Sequence, residues 1–216
     1  TLAAAHHFIG RYGLAREQEL ALDIMRELAE CAYLDGEFSR ADALYPQLAQ
    51  LTETPLEKIR YLSVQANQYQ LQGRFNDALR VINSGIALVG LRFPQQSDAL
   101  QASLETEYRI LHDAFSAAQP PDPGQLPEMT DPVLIASMEL LRVQWYASYL
   151  VGNVDLNSLI ALTISRLSLQ QGLCDISAFG FVTSALVANL VKGNPGLANT
   201  LGEYAIALAD TRHSGS

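Results

Sequence analysis

One sequence pattern occurs twice in this chain, and the repetition constrains its fold more than any other feature. The two copies are Ala29, Gly36, Phe38 and Ala41, and then Ala66, Gly73, Phe75 and Ala78. A small residue in one helix, a glycine that ends it and an alanine in the next helix are typical of stacked helix pairs. Because such stacks usually bind or transmit, the pattern favours a scaffold over a self-contained catalyst.

Glycines also divide the rest of the chain at regular distances. Gly36 and Gly73 are 37 residues apart, and Gly152 and Gly193 are 41 residues apart. The interval between Gly73 and Gly152 is 79 residues, which is close to two repeats. This spacing predicts one degenerate repeat in the middle, which carries the proline-rich segment 119–124. That segment cannot be helical and is expected to be an exposed loop.

Hydrophobic periodicity predicts helices along the chain and no β-strand. The predicted helices span residues 1–14, 15–34, 39–51, 56–72, 76–89, 99–117, 133–151, 156–171, 177–192 and 197–211. The inner faces of the second and third helices are expected to carry Leu20, Ile24, Leu28 and Ala32, and Ala41, Leu44 and Leu48. Segment 54–57 has the Thr-Pro-Leu-Glu order of a capping box.

The fold expected from these elements is all-α: a right-handed superhelical stack of antiparallel helix pairs, or α-solenoid. We expect one helical-repeat domain over residues 1–216. The clearest repeats fall in 1–90, the proline-rich loop in 118–132, and degenerate helix pairs in 133–212.

Composition excludes several classes of partner. The chain is 49% hydrophobic and has no run of about 18 apolar residues, so no membrane insertion is expected. Its net charge of −9, from 14 basic and 23 acidic side chains, repels nucleic acid and anionic lipid. The chain lacks an initiator Met and a secretion signal, which predicts a cytoplasmic segment of a longer protein. Cys31 and Cys174 are expected to be buried, reduced thiols.

No motif in the sequence indicates catalysis, a cofactor or a metal. It has no phosphate-binding loop, no His-Glu-x-x-His and no Cys-x-x-Cys, and its histidines are scattered (His6, His7, His112 and His213). Glu27 and Glu30 could mimic a carboxylate pair but are expected on a solvated helix face. Three aromatic residues, Trp145, Tyr146 and Tyr149, are expected to pack in the core rather than to form a ligand platform.

The most plausible functional surface is a concave groove lined by the first helix of each pair. Helical phase places on it Asp23, Arg26, Glu30 and Tyr33 from the first pair, and Arg60, Ser63, Asn67 and Gln70 from the second. Their mixed charge suits a peptide or a neighbouring protein domain. Because Glu30 would repel a terminal carboxylate, a carboxylate clamp is disfavoured.

The repeated pattern resembles the tetratricopeptide repeat, which has small residues where helices cross and an aromatic residue after the turn. The resemblance is good over about the first 90 residues. The later pairs depart from it, since Pro195 replaces the aromatic residue and Trp145 stands where a small residue is expected.

A more specific resemblance covers nearly the whole chain. It is carried in order by segments 28–38, 54–58 (TPLEK), 126–132 (LPEMTDP), 147–153, 167–172 (LSLQQG) and 177–179. These segments resemble the helical region behind the predicted ATPase module of very large bacterial signalling proteins. In that family a Ser/Thr-kinase-like domain, a STAND-type ATPase, helical repeats, a GAF domain and often a sensor histidine kinase share one chain.

The resemblance implies a non-catalytic regulatory module that couples a signal or partner to the neighbouring ATPase or kinase module. Its partners would be protein or peptide, mainly adjacent domains of the same chain. Two alternatives stay open. The chain could be an adaptor that binds an external peptide or protein, or it could sense a small molecule between the Trp145 helix and the last pair.

Overall fold

A computed structural model describes the backbone of residues 15–213 and the side chains of residues 20–210, and this part of the chain is helical. The helices are α1 (Ala15–Leu34), α2 (Phe38–Leu51), α3 (Pro55–Leu71), α4 (Phe75–Ile86), α5 (Ser97–Ser116), α6 (Pro132–Leu150), α7 (Val154–Gln171), α8 (Ser177–Leu186) and α9 (Pro195–His213). A 3₁₀ turn at Ala87–Val89 extends α4, another lies at Pro123–Gln125, and α8 runs on into a π-helical turn at Val187–Val191. The predicted helices from residue 15 onward are confirmed, whereas the one predicted at 1–14 lies outside the described residues.

The predicted glycine breaks are confirmed as turns of one kind. Gly36, Gly73, Gly152 and Gly193 have positive φ angles of 78°, 74°, 73° and 63°. At the first three, the N–H after the glycine donates to the carbonyl five residues back: Glu37 to Ala32 at 2.8 Å, Arg74 to Tyr69 at 2.8 Å and Asn153 to Ser148 at 2.9 Å. This is the left-handed helix end that glycine favours, so the same local chemistry closes three helix pairs.

The helices do not pack in chain order. α3 and α4 form a hairpin, and the helix that packs against both is α6 rather than α5. α7 then returns along α6, while α5 lies on another side of α7 and also reaches α9. The long interval between Gly73 and Gly152 therefore holds one extra helix with its connections, and not the degenerate helix pair that the spacing predicts.

Helix α7 is enclosed by its neighbours. Every residue from 158 to 165 is buried, and α5, α6 and α8 all pack against it. The crossing with α8 is close, because a Cβ on Gly180 would lie 2.4 Å from Ile164 Cγ2. Ser165 and Ser184 hydroxyls share a buried hydrogen bond of 2.9 Å at the same crossing. A glycine in α8 and two serines thus let the two backbones approach.

Helix α5 is attached to the far side of α7 by apolar and charged contacts. Leu104, Leu111 and Phe115 are buried on its inner face. Arg166 of α7 donates to the Glu107 carboxylate at 2.6 Å, and both side chains are mostly buried. Lys192, beyond the π-helical turn, pairs with Glu105. The extra helix is therefore held both by α7 and by the residue that follows the π-helical turn of α8.

The inner face predicted for α1 is confirmed at its C-terminal end and wrong by about one residue towards its N-terminus. Ala32 is buried and Leu28 packs against the core, but Leu20 and Ile24 are exposed while Met25 and Ala29 are buried. A shift of one position rotates a helix face by about 100°, and the packing of α2 and α3 determines which face is buried. The predicted inner residues of α2 (Ala41, Leu44 and Leu48) are confirmed as buried.

The two cysteines differ in burial. Cys174 is buried, as predicted, but Cys31 is exposed, so its predicted burial is wrong. Cys31 stands two positions from buried Ala29, which places it on nearly the opposite side of α1. Within the described residues, neither cysteine forms a disulfide.

The connection between α5 and α6 lies against the turn between α7 and α8. The N–H of Met129 donates to the Leu173 carbonyl, and the N–H of Leu173 donates to the Pro127 carbonyl, each at 2.8 Å. This is an isolated parallel bridge between Glu128 and Leu173. Met129 is buried in the core, so the proline-rich loop is exposed only in part.

Gly172 permits this bridge. Its φ is +100° and its ψ is 172°, a region that is essentially restricted to glycine. A Cβ there would lie 2.7 Å from the Pro127 carbonyl oxygen and 2.9 Å from Met129 N. Both atoms belong to the backbone, so no side-chain rotation could relieve the overlap.

We expect Gly172→Ala to lower the free energy of unfolding by at least about 2 kcal/mol, because strain and overlap act together. Gly202→Ala is the matched control. No atom lies within 4 Å of the added Cβ in that helical position, so a gain of about 0.5 kcal/mol is expected. Urea unfolding of both variants measures the difference. Equal effects would contradict the role given to the bridge.

Arg74 connects the first two helix pairs. It donates to Asp42 of α2 and to Asp77 of α4, both at 2.8 Å, and its guanidinium lies 4.0 Å from the centroid of the Tyr69 ring. The guanidinium lowers the pKa of the Asp77 carboxyl by hydrogen bonding. The corresponding turn of the first pair has the opposite signs, because there Glu37 accepts from Arg40 at 2.7 Å.

We expect Arg74→Ala to lower the free energy of unfolding by about 1–2 kcal/mol, since hydrogen bonds to charged groups contribute roughly 1.5–3 kcal/mol and this site is partly exposed. Arg40→Ala removes the exposed i,i+3 pair of the first turn and should leave the free energy of unfolding nearly unchanged. Thermal and urea unfolding compare the two variants. A larger loss for Arg40→Ala would show that Arg74 does not join the pairs.

Candidate functional site

The predicted groove residues fall on α1 and α3, but the structure brings only some of them together. Arg26 and Arg60 line one cavity of about 380 Å³, together with Asp23. The cavity lies between α1, the end of α2 and the start of α3. Asp23 holds Arg26 through an ion pair of 3.0 Å, while Arg60 is exposed. The cavity therefore presents one arginine that is already paired and one that faces solvent.

The N-terminus of α3 lines this cavity, and the predicted capping box is confirmed there. The Glu57 carboxylate accepts from the N–H groups of Thr54 and Glu53, each at 3.0 Å. In return, the Glu57 N–H donates to the Thr54 hydroxyl at 3.3 Å. Because a carboxylate of the chain itself occupies this helix terminus, the cavity is one of mixed charge rather than an anion site.

Three predicted groove residues are engaged within the protein. Gln70 donates its side-chain N–H to the backbone carbonyl of Val143 in α6, and Ser63 donates its hydroxyl to the Ile59 carbonyl at 2.8 Å. The Tyr33 ring packs 5.5 Å from the Phe38 ring. Gln70 in particular joins α3 to α6, because its side-chain amide is hydrogen-bonded to α6.

Glu30 and Asn67 are exposed on the same two helices. Glu27 is also exposed, which confirms that this acidic pair lies on a solvated face. The predicted surface therefore consists of a charged cavity at Arg26 and Arg60 with two further polar side chains outside it. The binding role of this surface stays a prediction.

Two of the three aromatic residues of α6 lie outside the core, contrary to the prediction. Tyr146 and Tyr149 are exposed, whereas Trp145 is partly buried and packs against two core clusters, as predicted. The Trp145 and Tyr149 rings are stacked at 5.7 Å with an interplanar angle of 3°. Phe179 of α8 lies 5.3 Å from Trp145 and 6.1 Å from Tyr146. Four rings thus form a cluster at the surface between α6 and α8.

Phe179 is the member of this cluster that sequence reasoning missed. The available signal was the helical spacing of Phe179 with Val182 and Leu186 on a helix without charged residues. A cavity of about 390 Å³ adjoins the cluster and is lined by Tyr149, Leu150, Gly152, Val154 and Asn157. It lies at the turn between α6 and α7.

Among the described residues, no three His, Cys, Asp or Glu side chains are grouped so that they could hold a metal ion. His112 lies 3.3 Å from its neighbour Asp113, and the other three histidine side chains are outside the described set. Among the same residues, no helix is both long and apolar enough to cross a bilayer.

Comparisons with protein-family models, with curated proteins and with solved structures gave no match to this chain.

The capping box makes the stability of the N-terminus of α3 depend on pH. Hydrogen bonds from the backbone of Thr54 lower the pKa of Glu57. A carboxylate with a lowered pKa in the folded state adds stability above its unfolded pKa of about 4.3. This stability is lost as the pH falls through the folded pKa.

We therefore expect Glu57→Gln to lower the urea midpoint at pH 7, and the difference from the unaltered chain to narrow at pH 2.5. Glu27→Gln changes the net charge by the same amount on an exposed helix face and is the control. The urea midpoint of Glu27→Gln should differ little from that of the unaltered chain at both values of pH. If Glu57→Gln lowered the midpoint by the same amount at both values, the role given to the Glu57 carboxylate in the capping box would be contradicted.

Proposed function

We propose that this chain is a non-catalytic interaction module, built as a right-handed tetratricopeptide-like stack, that couples a signal or partner to a neighbouring ATPase or kinase module. The observation that supports it best is the mixed-charge cavity shared by Arg26 and Arg60, on the surface formed by the first helices of the first two pairs. Three identical glycine turns support the tetratricopeptide-like part of the proposal.

The proposed coupling works through small movements between helix pairs. The first two pairs are joined at one end by Arg74 and in the interior by the hydrogen bond from the Tyr45 hydroxyl to Gln68. The cavity lies between the same two pairs. A partner that inserts beside Arg60 would therefore bind one relative position of the pairs better than another, which is what a shift of population requires.

In this proposal, the surface selects a partner whose charges are complementary to its own. Arg60 is free to meet an acidic side chain, whereas Asp23 and Glu30 would meet basic ones. Such an arrangement recognises a protein surface or peptide with both signs of charge and disfavours a uniformly anionic polymer. A chain of net charge −9 adds to that preference.

The proposal is tested by capture of the adjoining ATPase module of the same parent chain, with ATP, with ADP and without nucleotide. We expect capture to depend on nucleotide, and Arg60→Glu to weaken it by about tenfold, or 1.4 kcal/mol. Arg109→Glu is the control, because Arg109 is an exposed arginine of α5, far from the cavity in sequence.

Capture in no nucleotide state would contradict the coupling role and favour an adaptor for an external protein. Equal weakening by Arg60→Glu and Arg109→Glu would show instead that net charge, and not the cavity, determines binding.

A further inference from the structure

Helix α8 has two different sides, although its sequence is uniformly uncharged. From Ser177 to Val191 there is no Asp, Glu, Lys or Arg. Gly180 and Ser184 face α7 through close contacts. On the opposite side, Val182, Leu186 and Leu190 follow one another at four-residue spacing and are 46%, 51% and 75% exposed. An apolar stripe therefore runs along the outside of this helix.

This stripe continues onto α6 through the aromatic cluster. The Phe179 ring, one turn before Val182, contacts the rings of Trp145 and Tyr146. Tyr146 is 43% exposed and Tyr149 is 64% exposed. The name α6/α8 apolar face is used below for the surface formed by Tyr146, Tyr149, Val182, Leu186 and Leu190.

The apolar face is large for an exposed surface. Four further side chains with exposed fractions between 40% and 59% adjoin it at the α6–α7 turn and beside Leu190: Leu150, Val151, Val154 and Val191. A fully exposed tyrosine presents roughly 150–250 Å² and a leucine or valine somewhat less, so the nine residues together present on the order of 800 Å². The largest apolar patch of a typical monomer is about 300–600 Å².

We propose that the α6/α8 apolar face binds a second copy of this chain and forms a two-fold symmetric dimer. The face and the four residues that adjoin it together present on the order of 800 Å², which is what each partner contributes to a standard stable interface. A two-fold axis places the same patch against itself, so the patch must not oppose like charges. The stretches that form this face, 143–154 and 177–191, contain no charged residue, although the chain as a whole carries −9.

The chemistry of the face favours a second copy over other partners. The centre of a homodimer interface is apolar and depleted of charged residues, with aromatic side chains enriched. Tyr146, Tyr149 and the stripe of α8 have this composition. Nucleic acid and anionic lipid are repelled by the net charge, and a basic partner would find no acidic side chain on the face itself. This surface is separate from the Arg26 and Arg60 cavity, so the inference goes beyond the proposed function.

A dimer of this kind has a characteristic salt dependence. Apolar burial holds the two copies together, while the charge of −9 on each copy opposes association. Since added salt screens exposed charges, dimerisation should strengthen between about 20 mM and 300 mM NaCl. An interface held by ion pairs would weaken over the same range.

Sedimentation velocity of the 216-residue chain from about 5 to 200 μM tests the inference. We expect a concentration-dependent dimer, and at least a tenfold rise in the dissociation constant for Leu190→Glu. Leu71→Glu is the matched control, because Leu71 at the end of α3 is also 75% exposed but lies outside the face. It should leave the dissociation constant unchanged. Far-UV circular dichroism checks that all variants keep their helicity.

Hydrogen exchange of the unaltered chain gives a second readout that needs no substitution. Raising the protein concentration should increase protection in segment 177–191 and leave segment 55–71 unchanged. A chain that remains monomeric at 200 μM would overturn the inference. The inference would also be overturned if Leu71→Glu disrupted the dimer as strongly as Leu190→Glu does. It would be overturned as well if the dimer gained no protection in segment 177–191.

Discussion

The rest of the structure depends on the enclosure of α7. A helix whose central residues are all buried needs neighbours on every side, and the helices next to it in the chain supply only α6 and α8. The third neighbour is α5, which is earlier in the chain and packs on the remaining side. This explains why α6 takes the place beside α3 and α4, and why the chain needs the long connection between α5 and α6. The bridge at Gly172 then fixes that connection to the end of the enclosed helix.

Features encoded by neighbouring residues could be predicted from the sequence, and features encoded by distant ones could not. The glycine turns and the capping box depend on contacts within about six residues, so their patterns predict them directly. The position of α5 depends on which side of α7 remains open, which no local pattern contains. Likewise, Gly172 reads as an ordinary helix end in the sequence, although its backbone meets Pro127 and Met129 more than 40 positions earlier. The one-residue error on α1 has the same origin, because packing partners select among several possible apolar faces.

The candidate surfaces repeat this division between local and distant information. Helical phase alone brought Arg26 and Arg60 to one cavity, because both lie on the exposed sides of first helices. It failed for Gln70, whose amide binds α6, a helix more than 60 residues further along the chain. It also failed for Tyr146 and Tyr149, since apolar residues on an uncharged segment suggest a core position. Whether such a residue is buried depends on a neighbour that the sequence does not identify, and here the neighbour is missing from one side of α6 and α8 within the described chain.

The late burial of α5 has a consequence during synthesis of the chain. The Phe115 ring packs against Phe181 and Tyr204 at 6.0 Å and 5.0 Å, and both partners are made much later than α5. Ribosomes add about 5–20 residues per second, so the apolar side of α5 stays uncovered for several seconds after it is translated. In that interval the first two helix pairs are complete and can already fold. A nascent chain with a finished N-terminal half and one uncovered amphipathic helix is a natural client for a chaperone that binds apolar helices.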